Sequence, residues 1–569
     1  MSKPNLVRPW ELLANPILRR GVRARLRPRT AIGLGSVVLI IAVFLTALPI
    51  VRAQNLYVPD PQAGAGVALV LLLGFQGVIL LLGGTGAAAS GMARERADNV
   101  LDYQRMTPMP TASKIVGMLY GLPAREYAMA ALVLPLALYA ALEAGVNLFD
   151  LLRFYGVMLL SVAAYHMTGM TAGIIAKRPW RANMLAQGLI VVLYLVLPQL
   201  SQIQLDAFQY LTVLPAAREL LASQDIVFDG ERFTAPGDVP LFTAEINPTL
   251  FSVIMLGFVL TCLSHVVARR FRDDSANLFA KPFAYAFVTA ACALATGAFW
   301  PLVEDPWRFL DRESFRGPGV QELAIMMLSL HLGLCLAAAL VAILASAPDR
   351  FATIRGDRRR LKLGLPGIGW RRDEATVLPL AAWSAAVIAV SYLVLIGLLR
   401  GRPDVLDPAP GWAMAVPPLA YVLLVIAFVA LARELAGARG VLFVLFMAWI
   451  VPTLIAIILG GAADRTIEAL YVLAPMPVFG ILLEVSNMLE NTIRMDGGLA
   501  GDIGEHATGI RAFGLACYAI SAAGLAPLWV RRRRALFRLA QASMQPGDLP
   551  AKAESHQAQN VDQPGPAQG

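Results

Sequence analysis

Runs of about 20 apolar residues, the length a bilayer-crossing helix needs, recur along the whole chain, each closed by a basic, proline- or glycine-containing connector. They predict helices over 31–51, 66–92, 115–142, 151–176, 182–202, 251–268, 283–302, 323–345, 377–399, 412–431, 441–459 and 513–530, about twelve transmembrane spans. The predicted fold class is therefore all-α, a polytopic integral membrane protein. A further apolar stretch, 469–483, is interrupted by Pro475, Pro477 and Gly480. It is read as a broken patch, because proline removes a helical donor and a thirteenth span would move Arg531 to Arg534 away from the other basic clusters.

Composition agrees: 57% of the 569 residues are hydrophobic and 15% charged, against roughly 45–50% and about 25% in soluble domains. The net charge of +9 matters less than its placement. With the N-terminus inside, the inner connectors hold 34 Lys and Arg and the outer ones 10. The positive-inside rule then places both termini in the cytoplasm and makes nucleic acid an unnecessary partner. Membrane lipid is the expected surroundings. Seven tryptophans, among them Trp180, Trp300 and Trp412, fall at predicted helix ends, where an indole favours the headgroup region. The four cysteines lie in apolar runs and read as small fillers.

Two long outer segments, 203–250 and 460–512, each precede the last helix of a six-helix set. Each carries a proline-broken apolar patch, Tyr210 to Pro215 and Tyr471 to Pro475, followed by an acidic stretch and a helix ending in an arginine cluster. This predicts two six-helix halves, 31–280 and 281–540, with an inner loop at 346–376 in the second. Residues 1–30 form a basic lead-in in which Asn15-Pro16 starts a helix, with Leu18, Val22 and Leu26 at four-residue spacing among arginines, as in an interfacial amphipathic helix. The tail 541–569 is rich in Gln, Pro and Gly with little to bury, so disorder is expected there.

The first inner loop, 92–114, carries the most information. Mixed charge from Arg94 to Asp98 gives way to Val100, Leu101, Tyr103 and Met106, and Thr107-Pro108 stops the helix. That pattern suits a short amphipathic helix docking into a partner's groove. Arg94-Glu95-Arg96, Asn99 to Pro110 and Ile115-Val-Gly resemble the "RERxxxTLDxLxxTPLSxxxIVxGK" segment after the second span of type-2 permeases of ATP-binding cassette (ABC) exporters, with Asn99-Val100 standing where Gly-Thr is usual. Asn15 to Leu26 is similar to the "NPVLxRELRxRLR" stretch of bacterial members. The resemblance implies a coupling helix against a separate nucleotide-binding ATPase subunit, and Glu95, Asp98, Leu101, Gln104 and Arg105 inherit that role by position. It implies a bacterial inner-membrane transport subunit rather than an enzyme, needing no cofactor of its own because ATP is held by the partner. Either one chain or a homodimer would carry the pathway.

None of the six lysines is followed by Ser or Thr, so the chain lacks a P-loop. Ionisable residues inside spans are costly and point to function; Arg125 and Glu126, about one third into the third predicted span, are read as gating or structural. As neighbours in sequence they are expected to point apart rather than pair. His166, His265 and His331 read as neutral rings hydrogen-bonded within a bundle, and no Cys/His cluster favours a metal. Gly169-x-x-x-Gly173 reads as a close helix-packing motif. Two other classes stay open: a twelve-helix ion-coupled secondary transporter, which would need mid-depth acids that the spans scarcely offer, and a non-transport assembly factor using the large outer loops.

Overall fold

The computed structural model describes residues 15–55, 60–176, 178–200, 206–222, 227–228, 231–232, 237–304, 320–365, 369–401, 412–460, 466–490 and 500–544. The acidic stretches expected within 203–250 and 460–512 fall partly outside these residues, and the tail beyond 544 wholly outside them. Among the described residues, strand is confined to four pieces of two or three residues between Val227 and Ile246. Eleven described helices are long and apolar enough to cross a membrane, so the protein is an all-α, multi-pass membrane protein. The region expected as a span over 441–459 is a shorter apolar helix, Gly440–Ala456, set off by a kink where Gly437 adopts φ 71°.

The chain divides into two compact units, Met1–Pro240 with Ala244–Ala276, and Leu241–Thr243 with Asn277–Gly569. The first contains α1 (Pro16–Arg25), α2 (Pro28–Gln54), α3 (Pro61–Ala97), α4 (Val100–Met106), α5 (Thr111–Gly121), α6 (Ala124–Glu143), α7 (Leu148–Ile175), α8 (Pro179–Leu200), α9 (Leu214–Ala222) and α10 (Pro248–Arg272). The helix expected over 115–142 is in fact two, α5 and α6, separated at Leu122-Pro123. Pro123 lacks the donor that a continuous helix requires there.

The glycines of α7 do what their spacing implies. A Cβ on Gly169 would lie 2.5 Å from the Thr85 carbonyl oxygen of α3, and one on Gly173 2.5 Å from that of Ala89, so only glycine permits this approach. Within α3 the segment Val78–Gly84 is π-helical, which disturbs the regular backbone ladder. Side chains from neighbouring helices meet the carbonyls of this segment. His166 Nε2 donates to Leu80 O at 3.0 Å, and its Nδ1 accepts from the Tyr127 hydroxyl at 3.1 Å. Gln187 Nε2 donates to Leu82 O at 3.3 Å. His166 is thus a fully partnered bundle histidine.

The second unit contains α11 (Lys281–Glu304), α12 (Val320–Ser346), α13 (Arg350–Lys362), α14 (Leu378–Arg400), α15 (Val416–Leu445), α16 (Val451–Gly460), α17 (Thr466–Leu473), α18 (Pro477–Glu490) and α19 (Ala500–Ala542). His331 Nε2 lies 3.2 Å from Thr296 Oγ1, while its Nδ1 has no partner. The proline-broken patch is a turn, Ala474 to Met476, between α17 and α18. Its three carbonyls are all taken: Tyr421 of α15 donates to Ala474 O at 3.0 Å and Met476 O at 3.3 Å, and Tyr518 of α19 donates to Pro475 O at 2.5 Å.

The corresponding turn of the first unit uses the same device. Tyr165 of α7 donates to Leu211 O at 2.6 Å, and the Tyr194 hydroxyl of α8 accepts from the Val213 amide at 3.3 Å. A buried carbonyl without a donor is costly, and in membrane proteins such bonds contribute about 0.6–2 kcal/mol. Tyr421→Phe, which removes only the donor, should therefore lower stability in detergent by about that amount and open the 474–476 turn to protease; an unchanged melt and digestion pattern would contradict this reading.

Candidate functional site

The site indicated by the sequence is built where α3 ends. Its last turn carries Arg94, Glu95 and Arg96, and the chain then reverses through Asp98 and Asn99 into α4. Asn99 adopts φ 56°, a left-handed conformation that glycine takes freely and asparagine tolerates better than most residues. This explains how asparagine stands at a position where the resembling segments use glycine.

α4 has two opposite faces. Leu101, Gln104 and Arg105 fall on one side of the helix, and Tyr103 and Met106 on the other. Leu101 is buried in a cluster with Ile115, Met118, Val267 and Phe271, and Gln104 is buried beside it. Arg105 donates from Nε to Phe271 O at 2.8 Å and from Nη2 to Arg270 O at 2.9 Å, meeting carbonyls that the C-terminus of α10 leaves without helical donors. It also bonds Asp102 on α4 itself. Leu101, Gln104 and Arg105 therefore hold α4 to the bundle. The outward apolar groups are Tyr103, 68% exposed, and Met106, 77% exposed.

The connection to α5 is fixed as well. Lys114, buried at the start of α5, donates to Gln104 O at 2.5 Å and Thr107 O at 2.9 Å, and desolvation lowers its ammonium from the ordinary value. Arg96 bonds the Ile174 carbonyl of α7 and pairs with Asp274 just beyond α10 at 2.8 Å. Of the residues given a coupling role, Glu95 is only part-exposed and pairs with Arg20 of α1 at 2.9 Å, while Asp98 is exposed.

The N-terminal helix packs on the same assembly. Asn15 caps α1 by accepting from Ile17 N at 2.9 Å, and its Nδ2 donates to Ser113 O at 2.5 Å. A Cβ on Gly117 would sit 2.7 Å from Asn15 Nδ2, and one on Gly21 2.6 Å from Gly121 O. The two segments that carry the family resemblance thus touch through residue types their backbones demand. Between them lies a cleft of about 210 Å3 lined in part by Arg20, Arg25, Arg94, Glu95, Asp98 and Gln104. Burial lowers the Arg25 guanidinium from its ordinary value, with the Glu126 carboxylate opposing the shift.

Arg125 and Glu126 lie in the first turn of α6 and not a third of the way along a span, because the helix begins after Pro123. They also pair, Arg125 Nη2 to Glu126 Oε1 at 2.7 Å, contrary to the expectation of divergence. The long arginine side chain folds back along the helix start to reach its neighbour. Glu126 is buried with Oε2 lacking a partner, at a helix N-terminus where the backbone dipoles favour a carboxylate.

The sequence gives no site role to Asn15, Arg96 and Lys114, nor to Tyr103 and Met106, which enter only as apolar positions of the predicted helix. Helical phase was the available signal for the last two, since positions 103 and 106 lie opposite 101, 104 and 105 at 3.6 residues per turn. Hydrogen bonds to charged donors contribute about 1.5–3 kcal/mol, so Arg105→Ala should speed amide exchange across 100–106 by about ten- to hundredfold while exchange within the spans stays the same. Unchanged exchange in α4 would mean that Arg105 does not anchor it. No protein-family model, no curated protein and no solved structure matches this chain.

Proposed function

We propose that the chain is the membrane-spanning permease subunit of an ABC-type exporter, resident in a bacterial inner membrane with both termini cytoplasmic and driven by a separate ATPase subunit that docks on α4. The observation that carries this reading is the division of labour within α4. Tyr103 and Met106 stand out as an apolar pair, the residue types suited to a hot spot in a partner's groove. The opposite face is bonded to the end of α10 and, through Lys114, to α5. A helix so held passes a displacement of the docked partner to the spans instead of absorbing it.

The segment resemblance and the excess of basic residues on the side assigned as inner support the same orientation. Energy enters through the partner's ATP hydrolysis, and the chain supplies the pathway. Glu95, paired with Arg20, and Asp98 form the polar margin of the docking surface. Leu101 supports it from beneath, so Leu101→Glu would place a carboxylate in a buried apolar cluster and damage the segment itself.

The informative variant is Tyr103→Ala. Truncating an aromatic hot spot costs at least about 2 kcal/mol, so affinity for the co-purifying ATPase should fall by about thirtyfold or more with the thermal melt of the chain unchanged. Full retention of the partner by Tyr103→Ala and Met106→Ala together would overturn the docking assignment.

A further inference from the structure

The first unit holds a half-open cavity of about 580 Å3 between α3, α7, α8 and α9. Its volume lies within the roughly 300–1,000 Å3 of small-molecule sites. Its walls are mostly hydrocarbon; the polar side chains among them are Tyr194 of α8, whose hydroxyl is taken by the Val213 amide, and the charged Arg218 of α9. Val78 and Val191, both exposed, mark a rim between α3 and α8.

Two glycines of α3 line the void, and neither is required by helix packing. A Cβ on Gly74 would meet nothing within 4 Å, and one on Gly77 only the tip of Leu81 at 4.0 Å. This contrasts with Gly169, where the same atom would clash at 2.5 Å. The effect of glycine at 74 and 77 is to leave room. A cavity lined mostly by hydrocarbon offers water few of the polar partners it needs.

Arg218 is the charged residue of the lining. α9 lies in the connection between α8, which ends at Leu200, and α10, which starts at Pro248, and so between two spans rather than within one. Among the described residues no carboxylate pairs with Arg218, while the adjacent Glu219 is taken by Arg153 at 2.6 Å and Thr249 at 3.0 Å. We propose that the cavity holds one acyl chain of an anionic phospholipid, which enters from the bilayer past Val78 and Val191 and rests its phosphate on Arg218. This assignment does not depend on the transport reading.

The test is native mass spectrometry of the full chain, released from nanodiscs holding equal amounts of phosphatidylglycerol and phosphatidylcholine. The wild type should retain a single phosphatidylglycerol. Gly77→Leu, Gly74→Leu and the rim variant Val191→Trp should each lose it. Gly156→Leu, which adds the same bulk to α7 where a Cβ also meets nothing within 4 Å, should keep it. Arg218→Gln should lower the preference for the anionic lipid by about fivefold, and Arg218→Lys should restore it. Equal retention in the three filling variants and Gly156→Leu would overturn the site. So would a preference unaffected by Arg218→Gln, or a wild-type chain that emerges free of lipid.

Discussion

In a bilayer every backbone polar group must find its partner inside the protein, and this chain departs from regular helix at several points where that requirement bites. At those points a side chain from another element supplies the missing donor. His166 and Gln187 serve the π-helical carbonyls of α3. Tyr421 and Tyr518 serve the turn between α17 and α18. Where the chain leaves the spans, side chains serve carbonyls in the same way, Arg105 at the end of α10 among them. In the second unit Lys281 donates to Thr376 O at 3.1 Å and Arg433 to Ala347 O at 3.2 Å. These long-range bonds connect segments that no uninterrupted helix could connect.

Each unit repeats one arrangement ahead of its last helix. In the first, Tyr210 meets Phe251 of α10 edge-on at 5.2 Å; in the second, Tyr471 meets Phe513 of α19 at 6.1 Å, also edge-on. A glutamate follows in each case. Glu219 is held by Arg153 and Thr249, and Glu484, 1% exposed, by Arg511 at 2.8 Å. The second unit also carries a short basic helix outside its spans, α13, whose Asp357 pairs with Arg533 at 2.8 Å. Burial raises the Asp357 carboxyl from its ordinary value, and Arg533 opposes the rise. Phe351 on α13 is 75% exposed, an outward aromatic.

What could be read in the sequence followed physical strength. Spans were legible because roughly 20 apolar residues have few alternatives, and the break at 474–476 because two prolines cannot continue a helix. The glycine pair at 169 and 173 was legible for the same kind of reason, since close backbone approach admits little else. Lost from view were local details that hydropathy does not carry and everything decided by tertiary contact. Pro123 split an apolar run that hydropathy alone joins, and Arg125 folded back onto Glu126 against the geometry of adjacent helical positions. On α4 the resemblance gives the coupling role to Leu101 and passes over Tyr103, and only the packing against Phe271 shows that Leu101 is the buried one and Tyr103 the exposed one. Asn15 and Ser113, 98 residues apart in sequence, could not be joined by pattern at all.

The proposed role places ATPase engagement on the outward face of α4. The most direct measurement is photocrosslinking in native membranes, with a photoreactive amino acid placed in turn at positions 106 and 101 and the adducts identified by peptide mass. The account predicts an adduct from position 106 to a protein containing a P-loop, and none from position 101, which lies beneath. Adducts to lipid alone from position 106, or a P-loop protein captured equally from position 101, would contradict it.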